Sequence, residues 1–202
     1  NVGTIYVLHR EDGSAVLPPY ELIPGATYTP GTGALQACAR GTAACPSANT
    51  PSIDLDTGRL TFTFWAPGAT QAGVRAVQIS ETPVPRITPL WTNDSLPGGS
   101  ASSPTLSDDG TRIYVTNEAT DTLDVADLKS LKVVKKIPLS GRPNNVTISP
   151  DGRRVYVGIR AAVGDNPGVA DVIDTASLSK VKSIRTEGPV HDLYVTPDGK
   201  YV

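Results

Sequence analysis

Methionine is absent from the 202 residues, cysteine and histidine occur twice each, and charged residues make up only 19% of the chain. Each scarcity closes off a class of chemistry. His9, Cys38, Cys45 and His191 share no metal-type spacing, so no zinc site can be assembled from them by motif. Lys and Arg never run longer than two together and the formal net charge is −2, which leaves no electrostatic footprint for nucleic acid or an anionic membrane. No apolar stretch approaches the ~18 residues of a membrane-spanning helix, so membrane insertion is not expected. No Gly-rich phosphate loop leads into a helix and no Gly-x-Ser-x-Gly elbow occurs, so a nucleophile-based hydrolase has no support.

What is plentiful is turn chemistry. Gly 19 and Pro 18 in a charge-poor chain is the composition of many short strands joined by tight turns, and an all-β fold is expected. Internal repeats sharpen this. Leu106–Val115 (LSDDGTRIYV), Ile148–Val157 (ISPDGRRVYV) and Val195–Val202 (VTPDGKYV) each read as strand end, turn and new strand. Gly supplies positive φ, Asp bonds back to its own backbone and Pro presets φ.

The intervals between the turn aspartates Asp109, Asp151 and Asp198 are 42 and 47 residues, the length of a four-stranded propeller blade. A second set of matches, Asp127/Asp174, Leu131/Leu178, Ile137/Ile184 and Gly141/Gly188, has the 47-residue spacing throughout. The five-residue difference falls in one hairpin, around residues 160–168. One blade is therefore expected as strands at 145–149, 154–159, 169–174 and 181–185. Residues 50–62 align with 103–115 at an offset of 53, giving a longer blade with outer strands at 73–79 and 87–91. Residues 9–49 carry no clear period and read as a long connection with a poorly matched strand or two. The chain has no initiating Met, begins in a strand signal and stops in another. We read it as one propeller region over 1–202, an incomplete piece of an about seven-bladed β-propeller of four-stranded antiparallel blades.

The stretch IYVTNEATDTLDVADLKSLKVVKKIPLSGRPNNVTISPDGRRVYV and its echo VADVIDTASLSKVKSIRTEGPVHDLYVTPDGKYV resemble the YVTN family of β-propeller repeats, including YncE-like proteins, across residues 103–202. The front half, 1–102, through TPSIDLDTGRLTFTFW and the segment opening at Trp91, resembles quinoprotein repeats of PQQ-dehydrogenase-like propellers. The chain has only Trp65 and Trp91, short of a complete tryptophan-docking pattern, so PQQ or haem has no specific motif behind it.

The resemblance implies a ligand face where the fourth strand of one blade connects to the first of the next, here residues 140–145 and 187–192. At the 47-residue offset Asn144 matches His191 and Asn145 matches Asp192. His191 can act as base or metal ligand near neutral pH, or simply bond a neighbouring backbone. Arg142 can hold an anion or stay solvated. Asp192 can orient the imidazole, although adjacent residues in a strand alternate faces. Arg142, Asn144, His191 and Asp192 are thus the candidate ligand-binding residues, with no catalytic residue assigned. Asp108, Asp109, Asp151 and Asp198 form a carboxylate series that the tight turns explain without calcium.

Two function classes follow. One is an extracytoplasmic scaffold binding a small molecule or an envelope or surface protein; the other is a quinoprotein- or haem-type oxidoreductase propeller using His191 in proton transfer. The compartment rests on Cys38 and Cys45, which sit in a loop of small residues and give a short-range disulfide if the protein is exported, or two unrelated thiols if it is not. For the exported protein, peptide mapping without reductant is expected to find Cys38 linked to Cys45 and closed to alkylation. Two freely alkylated thiols would remove the pairing and the sign of an oxidising compartment with it.

Overall fold

The computed structural model describes residues 4–21, 51–54, 56–64, 72–96, 103–162 and 168–202. Among them there is no helix. Strands β1 (Thr4–Ile5) and β2 (Tyr20–Glu21) form a small antiparallel pair. Three four-stranded antiparallel sheets follow in chain order. They are β3 (Ser52–Asp54), β4 (Arg59–Phe64), β5 (Ala72–Ser80) and β6 (Arg86–Leu96); β7 (Thr105–Leu106), β8 (Arg112–Asn117), β9 (Thr122–Asp127) and β10 (Lys132–Pro138); and β11 (Gly141–Ile148), β12 (Arg154–Ala162), β13 (Gly168–Asp174) and β14 (Ser179–Thr186). Each sheet is a simple meander, and together they make a partial propeller, here called blades 1, 2 and 3.

Residue alternation makes the blades stack. Along β8, Ile113 and Val115 pack with Val74 of β5, while Tyr114 packs with Val146, Val155 and Val157 of blade 3. Side chains two apart share a face, so one strand contributes to two inter-blade cores at once. Along β4, Leu60, Phe62 and Phe64 join Val77, with Ile5 and Tyr20 of the small sheet against them. Burying each such side chain is worth about 1.5–3 kcal/mol. Polar bonds then set the register between blades: the Thr116 hydroxyl donates to the Asn144 carbonyl (2.9 Å) and the Thr105 hydroxyl to the Val146 carbonyl (2.8 Å). Arg112 reaches across to the Thr175 carbonyl at 3.1 Å. Its counterpart Arg154 instead pairs with Asp174 of its own blade.

The repeated turns share one plan. Asp109 Oδ1 accepts from the Ser107 hydroxyl, the Thr111 amide and the Thr111 hydroxyl, at 2.6, 3.0 and 2.8 Å. Asp151 accepts from the Ser149 hydroxyl and the Arg153 amide, and Asp198 from the Thr196 hydroxyl and the Lys200 amide, without the second hydroxyl. The last of these turns closes by the Thr196 amide to the Tyr201 carbonyl, with no strand on either side of it. The turn therefore forms from local bonds alone, whereas the strand that the repeat pattern expected after it requires a neighbour.

Two other expectations are adjusted. The connection expected at 140–145 is mostly strand, because β11 already begins at Gly141. The cysteine loop and most of the hairpin insertion at 160–168 lie outside the described residues.

A buried carboxylate ties the third strand of blade 3 to its surroundings. Asp171 of β13 accepts from the Ser140 amide (2.7 Å), the Ser140 hydroxyl (2.8 Å) and the Ser183 hydroxyl (2.6 Å), with Lys180 Nζ at 3.5 Å. Asp124 of β9, at the matching position, accepts from the Thr122 hydroxyl and Lys136 Nζ.

Removing such a carboxylate leaves the Ser140 amide and the Ser140 and Ser183 hydroxyls without their acceptor and Lys180 without its ion pair, so Asp171→Ala is expected to lower unfolding stability by roughly 3 kcal/mol in denaturant titration. A loss below about 0.5 kcal/mol would show the network to be incidental. The turns give a pH signature. Hydrogen bonds from the Ser107 hydroxyl and then from Thr111 hold the Asp109 carboxyl down to about 2. A folded value below the unfolded one contributes stability at pH above about 4, and that contribution is lost as pH falls toward 2. The melting temperature should therefore fall over that window, and fall less steeply in Asp109→Asn.

Candidate functional site

In a four-stranded meander the first-to-second and third-to-fourth turns lie at one end of the blade. The second-to-third hairpins and the links to the next blade lie at the other. The candidate residues gather at the second end, which we call the linker rim.

The link into blade 3 places Arg142 in β11, where pairing with β12 is irregular. Arg142 stands opposite Ala161 but Pro143 stands opposite Ile159, leaving Arg160 as an extra, unpaired residue. Proline has no amide hydrogen to donate to the ladder, and a bulge at such a point re-aims the side chain of the extra residue. Arg142 Nε lies 3.7 Å and Arg160 Nη2 3.9 Å from the same oxygen, Oε2 of Glu118. Glu118 follows directly after β8, and its side chain is almost wholly buried while the two arginines are 44% and 34% exposed. A carboxylate sunk at the rim thus holds two half-exposed guanidinium groups together.

The second group surrounds the segment 187–192. Its backbone is pressed onto blade 3: the Val190 amide donates to the Ile159 carbonyl at 3.2 Å and the Asn145 amide to the His191 carbonyl at 3.4 Å. Glycine makes room for it. A Cβ on Gly158 would come within 3.1 Å of Val190 Cγ1, and one on Gly168 within 1.8 Å of the Gly188 carbonyl oxygen, so Gly168 is the position where no side chain can be accepted. Thus held, Asn145 Nδ2 donates to Asp192 Oδ1 at 2.9 Å, and His191 Nδ1 lies 3.0 Å from Asp192 Oδ2. The His191 contact, and secondarily that of Asn145, keeps the Asp192 carboxyl below its usual range. In the neutral imidazole with Nδ1 donating to Asp192, Nε2 is the acceptor on an exposed ring. Face alternation does not separate His191 from Asp192 because residues 191–196 are not in a strand.

The structure therefore sorts the sequence candidates. His191 and Asp192 are brought together, and Asn145, the residue matching Asp192 one repeat earlier, joins them. Arg142 belongs to the separate Glu118 cluster. Asn144 is 3% exposed and serves the fold through its carbonyl. Cys38 and Cys45 lie outside the described residues. Glu118 and Arg160 carried no motif, yet the 42-residue offset between blades 2 and 3 places them at the same repeat position with opposite charge. That inversion was the available signal.

At the opposite end, a cavity of about 580 Å³ lies between the turns of blades 1 and 2, lined by Asp54, Asp56, Arg59, Ser107, Asp108 and Asp109 among others. Asp54 and Asp109 there are hydrogen-bonded to their own turns. Among the described residues no three His, Cys, Asp or Glu gather to hold a metal ion, and no helix is long and apolar enough to cross a membrane.

No protein-family profile matches the chain. Protein Rv3035 of Mycobacterium tuberculosis is 30% identical over 115 residues, 57% of this chain and 27% of that protein. Antigen Lp49 of Leptospira interrogans is 43% identical over 49 residues, 24% of this chain and 11% of that protein. Among solved structures, Kuenenia stuttgartiensis hydrazine synthase superposes with a TM-score of 0.59 at 24% identity, covering 88% of this chain and 43% of its own. A Bacteroides fragilis protein described as a candidate 6-phosphogluconolactonase gives 0.58 at 16%, covering 76% and 46%. The chain thus spans about a quarter or less of the first two proteins and under half of the solved ones. At these identities the superpositions establish the propeller-like fold alone.

Proposed function

We propose that this chain belongs to an extracytoplasmic propeller of YVTN type that acts as a binding scaffold, with a small polar molecule held at the linker rim. The observation that carries the reading is convergence. Residues from successive repeats, Glu118 with Arg142 and Arg160, and Asn145 with His191 and Asp192, meet at one end of the sheets. Recognition of a small ligand needs a few fixed polar groups on a rigid frame, and here β11 and β12 supply the frame. The His191–Asp192 contact fixes the orientation of an exposed imidazole, which suits it to bond a ligand. The quinoprotein or haem alternative has no residue of the rim specific to it, and a fold-level likeness does not carry an activity.

The test is thermal denaturation of the full-length protein against a panel of sugars, amino acids, organic acids, quinones and haem at millimolar concentration. A ligand present at 100 times its Kd stabilises by about 2.7 kcal/mol, so at least one class should raise the melting temperature by several degrees. That rise is expected to shrink in His191→Ala or in Arg142→Ala. A protein indifferent to the whole panel would overturn the small-molecule reading, and a response confined to quinone or haem with a bound chromophore would replace it with the oxidoreductase.

A further inference from the structure

The scaffold reading leaves the ligand's chemistry open, and the Glu118 cluster narrows it. Among the described residues, neither Arg142 nor Arg160 donates a side-chain hydrogen bond; their recorded contacts are the ion pairs to Glu118 Oε2 at 3.7 and 3.9 Å. Those distances lie beyond hydrogen-bond reach for N–H···O. Each guanidinium carries five donors in a planar fork that matches a carboxylate. Sharing one oxygen as neighbour, the two groups are necessarily within about 8 Å of each other, a span one small anion can bridge. Both are partly exposed, whereas the carboxylate behind them is buried.

Charge and shape set the ligand class. Two guanidinium groups beside one buried carboxylate favour an anionic group, and the planar fork of each matches the flat, two-oxygen face of a carboxylate. The site also has a structural origin that a random surface pair lacks. Arg160 is the extra residue of the bulge opposite Pro143, and Glu118 occupies the same repeat position one blade earlier. Bulges recur where a side chain must be re-aimed beside a site.

We propose that Arg142 and Arg160 form a binding site for the carboxylate group of a small molecule, with Glu118 as a positioning residue that holds the two forks side by side. This rests on the scaffold reading and specifies its ligand.

The experiment follows the arginine Nε–Hε resonances of the full-length protein by NMR during titration with acetate, succinate and inorganic phosphate at fixed ionic strength. Saturable shifts of the Arg142 and Arg160 signals with acetate and succinate are expected, with weaker binding of phosphate. Affinity should fall at least tenfold in Arg160→Gln, and Arg160→Lys should recover only part of it because the fork is lost. The wild-type titration stands even if a variant misfolds. Carboxylates that leave both signals unmoved, or that bind equally well to a folded Arg160→Gln, overturn the proposal. If a neutral compound from the panel shifts His191 and Asp192 while carboxylates do nothing, the scaffold reading survives and the carboxylate site does not.

Discussion

A strand buried on both of its faces has no stable existence in a lone sheet, and β8 is such a strand. Ile113 and Val115 need blade 1 beneath them while Tyr114 needs blade 3 above. Neither contact can be replaced by water without exposing apolar area worth about 25 cal/mol for each Å². Stacking is therefore imposed by composition, and everything else in the molecule accommodates it. The turns must be tight enough to keep four strands in one layer, and the third strand must carry its polar groups inside the stack. Links between blades must also return the chain to the same end each time. The residues at that end are brought together because the cores beneath them leave no other arrangement.

Constraints of this kind explain where the charged groups are found. Asp124, Asp171 and Glu118 are all buried, and an ionised carboxylate out of water survives only with donors or cations supplied. Asp171 is surrounded by Ser140, Ser183 and Lys180, and Asp124 by Thr122 and Lys136. These are closed networks, with contacts of 2.6–2.9 Å from hydroxyl, amide or ammonium donors. The pairs at Glu118 are longer, and the arginines that make them face solvent. The short contacts around Asp124 and Asp171 fix those carboxylates within the stack, whereas the two guanidinium groups beside Glu118 keep part of their surface in water.

How legible this was in sequence depends on the range of the interaction involved. The Asp-Gly turns could be read residue by residue, because their bonds run between positions two to five apart; the isolated turn at Asp198 forms without any partner strand. The strand order of blade 3 followed from periodicity and from the 42- and 47-residue intervals, and the four expected strands appear at nearly those positions. The bulge at Pro143 could not be read, since it depends on which residue of β12 stands opposite a proline, a fact about register across a hairpin whose loop length differs between repeats. His191 and Asp192 were visible as polar residues at a repeated place, whereas their partner Asn145 was visible only as a match in alignment. Asn144 stands at the same repeat position as His191, yet it is buried where His191 is exposed, because the repeat fixes the backbone and not the surroundings of each side chain.

Glu118 and Arg160 sharpen that last point. A propeller repeats its backbone but is free to change the side chain at each equivalent position, so a ring of such positions becomes a set of independent choices around one axis. Identical like charges there would repel, and one sign change between neighbouring blades converts repulsion into an ion pair. That inversion sets Arg160 of blade 3 beside Glu118 of blade 2, and Arg142 of the link joins them at the same oxygen. Where repeats agree, the residue answers to the blade, as Asp109, Asp151 and Asp198 do in their turns. Where repeats disagree at an otherwise fixed position, the blade's own backbone does not dictate the choice, and what stands beside it in the neighbouring blade can, as Arg160 stands beside Glu118.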